Sequence, residues 1–384
     1  MAAPRQLAKL KQWLKYLFMH IKCLIRGELV HLFTVSQSRR PWHMPIVAAI
    51  AISFPVFVGA YFGALPAGIK ASLGAMVILN LPFVGSLPYR LVTVMGWSFA
   101  MTLCFALGLI AQQVPLLKIP VFALIAFGVV VFGRYYRQPP PAGLFIMMAG
   151  AIALFIPVPT EQVLSAIGLI MLGSGFSMFM ALFYTLFLLV TRPSKPVPSY
   201  YYVPDTLSES FIVASFVSLS LLIAVVIKMP YPYWAAVSCF IIIQGMQMRT
   251  IWIKQLHRLL GTLLGMGLAG WMLSWSLSNW EVAIAILLMM LCIESLVDRH
   301  YGLAVIFVTP LTIFIAEYGS SVVQVQSSVQ EVIHARMLDT ALGCVVGLSG
   351  GLAMHSIKLR IPLRRAEKRL LAVFGDYKKV KKNE

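Results

Sequence analysis

The chain has 384 residues, of which 60% are hydrophobic and 11% charged, and its formal net charge is +18 at pH 7. Soluble domains carry about 25% charged residues, so a water-soluble fold of this composition would lack the polar side chains to cover its surface. The composition predicts an integral membrane protein and argues against a nucleic-acid partner, because the basic residues lie beside apolar stretches and at the two tails, where anionic lipid headgroups are the expected contact.

Residues 1–40 precede the first apolar span. Lys9, Lys11, Lys15, Lys22 and Arg26 interrupt Leu10, Trp13, Leu14, Leu17, Phe18, Ile21, Leu24 and Ile25, so the segment lacks the continuous apolar core of a secretory signal. Its apolar positions recur at three and four, on one helical face. It reads either as an interfacial helix on the cytoplasmic leaflet or as an amphipathic helix on the protein's own cytoplasmic surface.

Twelve hydrophobic spans follow, at about 44–64, 69–87, 91–112, 116–133, 142–158 and 163–190, then at about 208–228, 233–248, 258–278, 281–297, 301–317 and 337–357. Several are shorter than the ~20 residues that cross a bilayer unaided, which predicts tilted, broken or partly buried helices. Threaded this way, all of the 31 Lys and Arg residues except Lys70, Lys118, Lys228 and Arg336 fall on one side. Cytoplasmic loops retain positive charge, so both termini are expected in the cytoplasm. The segment at 318–335 is then the longest external stretch. Trp42 and Trp234 open spans, and Trp271, Trp275 and Trp280 cluster at the outer end of the ninth, all reading as interfacial anchors.

Residues 191–205, TRPSKPVPSYYYVPD, hold four prolines and three consecutive tyrosines. Proline at that density cannot continue a helix. The expected organisation is a basic amphipathic N-terminal segment (1–40), a six-span bundle (41–191), a cytoplasmic linker (192–207), a second six-span bundle (208–357) and a basic cytoplasmic tail (358–384). The bundles look like copies: GALPAGIKA, a short span and PYRLVTVMG in the first correspond to KMPYPYWAA, a short span and LHRLLGTLLG in the second, placing Arg90 and Arg258 in matching positions. Halves with an even span count share one orientation, so the repeat would be parallel. Paired short, Pro/Gly-interrupted segments point to a transport site.

Gly261 and Gly265, and Gly343 and Gly347 with Gly351 beyond, have the spacing that lets helix backbones approach closely, and they predict that the ninth and twelfth helices lie in the interior. Asn80 is a lone polar residue at depth, expected to bond between helices. The five cysteines, Cys23, Cys104, Cys239, Cys292 and Cys344, are scattered without the spacing of a zinc site or a disulfide framework. No metal-ligand cluster, P-loop or nucleophile elbow is present, and no cofactor is expected.

The runs YWAAVSCFIIIQGMQMRTIWIKQLHRLLGTLLGMGLAG, YGLAVIFVTPLTIFIAE and ARMLDTALGCVVGLSGG resemble the membrane domain of the fusaric acid resistance and aromatic acid exporter family. The resemblance covers residues 205–357 best and the first half only loosely. It rests on Tyr233-Trp234, the Arg-Leu-Leu-Gly-Thr run at 258–262, Thr309-Pro310, and Arg336 with Asp339, Thr340 and Gly343. That superfamily includes bacterial p-hydroxybenzoic acid efflux proteins and, more distantly, plant aluminium-activated malate transporters. The resemblance implies a bacterial inner-membrane exporter of aromatic carboxylates, with a periplasmic adaptor as a possible partner. Many members carry a large cytoplasmic domain where this chain has only a short tail, which puts the regulation or oligomer contact supplied by that domain in doubt.

An aromatic carboxylate needs apolar walls and a cation or helix N-terminus for its charge. Arg90 and Arg258 are the candidate cations, since Arg grips a carboxylate with two hydrogen bonds; the other reading of each is an anchor to lipid phosphate. Glu294 and Asp298 share a helix face beside Arg299 and His300, a group able to carry a proton inward as an anion leaves, or simply an ion-paired helix end. Arg336 and Asp339, one turn apart, form either a neutralising pair that pins the last helix or part of the path. The expected function is a proton-coupled secondary exporter of aromatic or similar amphipathic carboxylates, assembled as a homo-oligomer, with an anion channel, a non-transporting scaffold and a membrane-bound transferase as alternatives.

Overall fold

The computed structural model describes Val35, Gln37 and residues 40–138, 142–191, 205–244, 248–275, 277–319 and 329–373. Nearly all of the N-terminal segment, the linker at 192–204, residues 320–328 of the external stretch and the last residues of the tail lie outside the described residues.

Every regular element among the described residues is helical. In chain order they are α1 (Met44–Tyr61), α2 (Leu65–Ala75), α3 (Leu87–Gln112), α4 (Lys118–Tyr135), α5 (Leu144–Ala153), α6 (Val163–Thr191), α7 (Thr206–Val226), α8 (Tyr233–Ile243), α9 (Met248–Leu273), α10 (Asn279–Leu296), α11 (Tyr301–Gly319), α12 (Val329–His355) and α13 (Ile357–Val373). A short 3-10 turn, Met76–Asn80, extends α2.

Local chemistry sets many of the boundaries. Proline stands in the first turn of α1, α2 and α3, where its missing N–H costs no hydrogen bond. Ser278 and Glu281 open α10 with reciprocal side-chain bonds to backbone N–H groups, satisfying two donors that a helix start leaves unpaired. Three boundaries differ most from the sequence expectation: the helical run begun by α2 ends at Asn80 rather than near 87, α9 starts at Met248 rather than near 258, and α12 at Val329 rather than near 337. Arg249, Lys254, His257 and Arg258 mask the early helical turns of α9 from any reading based on apolar runs.

Among the described residues, seven helical stretches are long and apolar enough to cross a membrane: Met44–Tyr61, Leu87–Gln112, Pro115–Tyr135, Thr160–Thr191, Thr206–Val226, Asn279–Leu296 and His334–His355. Shorter apolar helices lie at Leu65–Asn80, Leu144–Ala153, Tyr233–Ile243 and Tyr301–Ile315. At 1.5 Å per residue, the 11-residue α2 and α8 are each about 16 Å long, roughly half of a ~30 Å hydrocarbon core. Every residue of α8 is buried. A helix that short is sheltered by longer neighbours, so its ends meet protein rather than lipid.

The packing follows a pattern. α2 lies along α6 and α3 along α5 and α6, while α8 lies along α12 and α9 along α11 and α12. α1 packs on α10 and α4 on α7; α2 meets α11 and α5 meets α8. Each contact has a counterpart six helices further on, counting α1 as following α12. Glycine sets the closest approaches. A Cβ on Gly173 of α6 would stand 1.7 Å from the Ala71 carbonyl oxygen of α2, and one on Gly343 of α12 would stand 2.3 Å from the Ala235 oxygen of α8. One apolar core runs through both halves, from Met44 and Ile52 to Ile286, Phe314 and Val346.

Candidate functional site

The short α8 is the floor on which the buried charges meet. α9 and α12 pass along it, and four glycines bring backbones together: Gly261 against the Gly302 oxygen, Gly265 against the Ile306 oxygen, Gly343 against the Ala235 oxygen and Gly347 against the Cys239 oxygen. The partners of α9 and α12 at these glycines are therefore α11 and α8. Pro310 in α11 has no N–H to give the Ile306 carbonyl, and Gly265 closes over that oxygen.

Arg258 lies ten residues into α9, about 15 Å along it, and is 4% exposed. This corrects its expected place at the start of the span. Its Nη2 donates to Ser238 Oγ at 3.2 Å, while Nε has no hydrogen-bond partner. The Tyr301 hydroxyl of α11 stands nearby, without hydrogen-bond geometry. Arg336 is equally buried in α12. Its guanidinium lies 3.3 Å above the Trp234 ring and Nη2 donates to Thr312 Oγ1, leaving Nη1 without a partner. Trp234, expected as an interfacial anchor, is buried and serves as the platform for this cation. The exposed Trp42, Trp271, Trp275 and Trp280 have the surface placement their anchoring role requires.

Asp339, one turn from Arg336, is fully buried and neither carboxylate oxygen has a hydrogen-bond partner. The expected Arg336–Asp339 ion pair is not made, because Trp234 and Thr312 hold the guanidinium. Arg258, Arg336, Asp339, Tyr233, Trp234 and Tyr301 thus bring two cations, one carboxylate and three aromatic rings together inside the helix packing.

Arg90 also keeps a buried guanidinium nitrogen, Nη1, without a partner, but it is placed differently. It lies in the first turn of α3 and is buried. Its Nε donates to the Gly85 oxygen at 3.0 Å and its Nη2 to the Phe83 oxygen at 3.2 Å, so it clips the loop that precedes its own helix. Arg90 and Arg258 therefore sit at different depths of their helices. Nearby, the Asn80 Oδ1 accepts from Gly143 N at 3.5 Å, at the start of α5.

Glu294 and Asp298 form a second cluster. Arg40, just ahead of α1, donates from Nη1 to Glu294 Oε2 at 3.0 Å, and its Nε lies 3.0 Å from Asp298 Oδ2. Glu294 is buried. His300 Nδ1 accepts from Leu303 N at 3.1 Å, and its ring centroid lies 4.6 Å from that of His257. Sequence reasoning missed Arg40 because its position before the first span satisfies the positive-inside rule by itself. The α4–α7 contact has an ion pair of opposite polarity: Arg134 of α4 pairs with Glu209 of α7, which also accepts from Arg360 of α13 at 3.1 Å.

An open groove of about 280 Å³ between α1, α2 and α6 is lined by Phe54, Val58, Phe62, Leu169, Leu172 and Phe176 among others. It is apolar throughout and offers nothing to recognise a charge. Among the described residues, no group of three or more His, Cys, Asp or Glu side chains has the arrangement to hold a metal ion.

The buried cations on α9 and α12 fall inside the stretch that matches a known family model. Residues 219–350 are fusaric acid resistance protein-like. This match spans α8 to α11, the last turns of α7 and most of α12. An uncharacterized membrane protein of Bacillus subtilis (strain 168), YvaC, is 29% identical over 152 residues, covering 39% of this chain and 24% of that protein. The shared stretch is thus about a quarter of that relative's length. No solved structure matches the chain. With its apolar helices, the chain is a multi-pass membrane protein with a fusaric acid resistance-like second half.

Proposed function

We propose that this protein is a secondary transporter of the bacterial inner membrane that exports aromatic or similar amphipathic carboxylates, with protons as the coupling ion. The observation that carries the reading is the pair of buried arginines, Arg258 and Arg336, each keeping a guanidinium nitrogen without a partner. Cations inside membrane helices are costly and face pathways. An unsatisfied donor on each suits an incoming carboxylate, and Trp234, Tyr233 and Tyr301 supply flat surfaces for a ring. The family match supports transport at the level of the family.

In this reading α1–α12 are twelve membrane segments in two parallel six-helix halves, 41–191 and 208–357, with the linker, both termini and α13 on the cytoplasmic side. The helix contacts that recur at a shift of six support the repeat. With α9 entering from the cytoplasm, the ~15 Å run to Arg258 puts it near the bilayer midplane, the depth at which inverted and parallel repeats place their substrates. Anionic lipid headgroups face the basic α13, the assembly is a homo-oligomer, and a periplasmic adaptor extends the export path.

Flux of a small aromatic-acid panel, p-hydroxybenzoate and fusaric acid included, from proteoliposomes with and without an imposed proton gradient tests this function. Movement that follows the gradient and is abolished by Arg258→Ala is the expected result. Downhill flux indifferent to the gradient establishes an anion channel, and no flux of any acid from a folded, oriented preparation overturns the transport reading.

A further inference from the structure

The unused carboxylate of Asp339 has a mechanistic consequence that rests on the transport reading. We propose that Asp339 is the proton-binding group of the buried site, and that anion binding on Arg336 requires the proton on Asp339.

Asp339 is wholly buried and both of its oxygens lack a donor. A carboxylate in that position stays ionised only if a cation or several N–H groups compensate it. The nearest cation is Arg336, three residues earlier on the same helix face, but its guanidinium rests on Trp234 and Thr312. Two arrangements are therefore available to one helix turn. In one, ionised Asp339 draws Arg336 into an internal ion pair and no cation is left for a ligand. In the other, a proton from water forms an O–H bond on Asp339, the pair is not needed, and Arg336 stays on the indole with Nη1 open. The structure places the guanidinium as the second arrangement requires, on Trp234 and Thr312 and away from Asp339.

The surroundings favour this exchange. α7 brings only Glu209, at its far N-terminal end. α8 brings Tyr233 and Cys239, α11 brings Tyr301 near its start, and α9 brings Arg258, with His257 and Lys254 further toward its start. α12 itself adds His334, Cys344 and His355, and α13 adds Lys358 and Arg360 beyond its end. Among the described side chains near the middle of α12, Asp339 is then the acid and Arg258 the other charge acting on Arg336.

Because ionised Asp339 and a bound anion compete for the same guanidinium, the proton and the anion share the occupied state and move together. Transport of a monovalent carboxylate is then electroneutral, and export relieves an accumulated acid along its own gradient. This sign of coupling is opposite to an inward proton carried by Glu294 and Asp298, which Arg40 already engages.

The test uses the full chain in detergent with benzoate as the probe, between pH 6 and pH 8, where benzoate remains ionised. One proton linked to one anion weakens binding by about tenfold per pH unit where Asp339 ionises. Asp339→Asn is expected to bind benzoate with no such pH dependence, and Arg336→Gln to lose binding at every pH. Infrared difference spectroscopy supplies a readout independent of any ligand: the carbonyl band of a protonated carboxylic acid, present in the unliganded protein at neutral pH and removed by Asp339→Asn. Absence of that band, or a pH dependence that survives in Asp339→Asn, overturns the proposal. A band that behaves as expected in a protein that binds no carboxylate supports Asp339 as the proton site and overturns its linkage to anion binding, together with the transport reading.

Discussion

Removing Arg40 separates a buried carboxylate from its cation, and the structure sets the size of the effect. Glu294 has a side chain 5% exposed and Asp298 one 27% exposed, while the Arg40 side chain that spans them is 26% exposed. Breaking a buried pair by deleting one partner costs about 3–5 kcal/mol, and the partial exposure of Arg40 puts Arg40→Ala near the lower end, about 3 kcal/mol. The half-exposed contact to Asp298 adds at most about 1 kcal/mol. Glu294→Gln removes the charge itself and leaves Arg40 with Asp298, for a cost of about 1 kcal/mol. The double variant Arg40→Ala/Glu294→Gln no longer buries an uncompensated charge and is expected to be more stable than Arg40→Ala alone, with a coupling of about 2 kcal/mol. Tryptophan-fluorescence thermal unfolding in detergent is the assay. At about 2 °C per kcal/mol, Arg40→Ala lowers the midpoint by roughly 6 °C and the second substitution recovers part of that loss. A double variant as unstable as Arg40→Ala, or less stable, would refute the argument that Arg40 acts by compensating Glu294.

Other expectations follow from particular contacts. Gly343→Ala places a Cβ 2.3 Å from the Ala235 oxygen and is expected to destabilise by about 1–3 kcal/mol, whereas Gly175→Ala, with nothing within 4 Å of its Cβ, is neutral or stabilises by up to about 1 kcal/mol; thermal unfolding of the two variants side by side checks this. Trp234→Ala removes the platform under Arg336 and is expected to cost about 3 kcal/mol or more of stability, while Trp234→Phe retains a weaker cation–π contact and loses less, as measured by denaturation midpoints and acid flux. Glu367 accepts from Leu207 N, at 3.3 Å, and Ser208 N, at 3.0 Å, in the first turn of α7, so Glu367→Ala removes a cap worth about 1 kcal/mol and should speed proteolysis within α13. If Glu294 couples protons, Glu294→Gln abolishes uphill flux of acids in proteoliposomes and preserves downhill flux; unchanged flux of both kinds removes it from the mechanism.

Much of the architecture was legible because a bilayer allows so few solutions. A backbone in hydrocarbon must satisfy its own hydrogen bonds, so each apolar run becomes a helix, and the runs near 44–64, 163–190 and 208–228 correspond closely to α1, α6 and α7. The glycine spacings in α9 and α12 announced close packing for the same reason: only a missing Cβ admits another backbone. Where charge is buried inside a helix the signal failed. In the sequence Arg258 looks like a span boundary, because an isolated cation normally marks water, whereas α9 runs for ten residues before it. Trp234 likewise looks like an anchor, because tryptophan at a span end usually faces headgroups.

The sequence by itself determined which segments are apolar enough to enter a membrane, their helical form and the small-residue faces, since these depend on transfer energies and local geometry within each segment. Only the tertiary structure decided which charges meet. Arg40 finds Glu294 across 254 positions of chain, Glu367 reaches back to cap α7, and Arg336 lies on Trp234 rather than on Asp339. Helical periodicity reports the face a residue occupies and is blind to the element opposite, so partner choice emerges only when the helices pack.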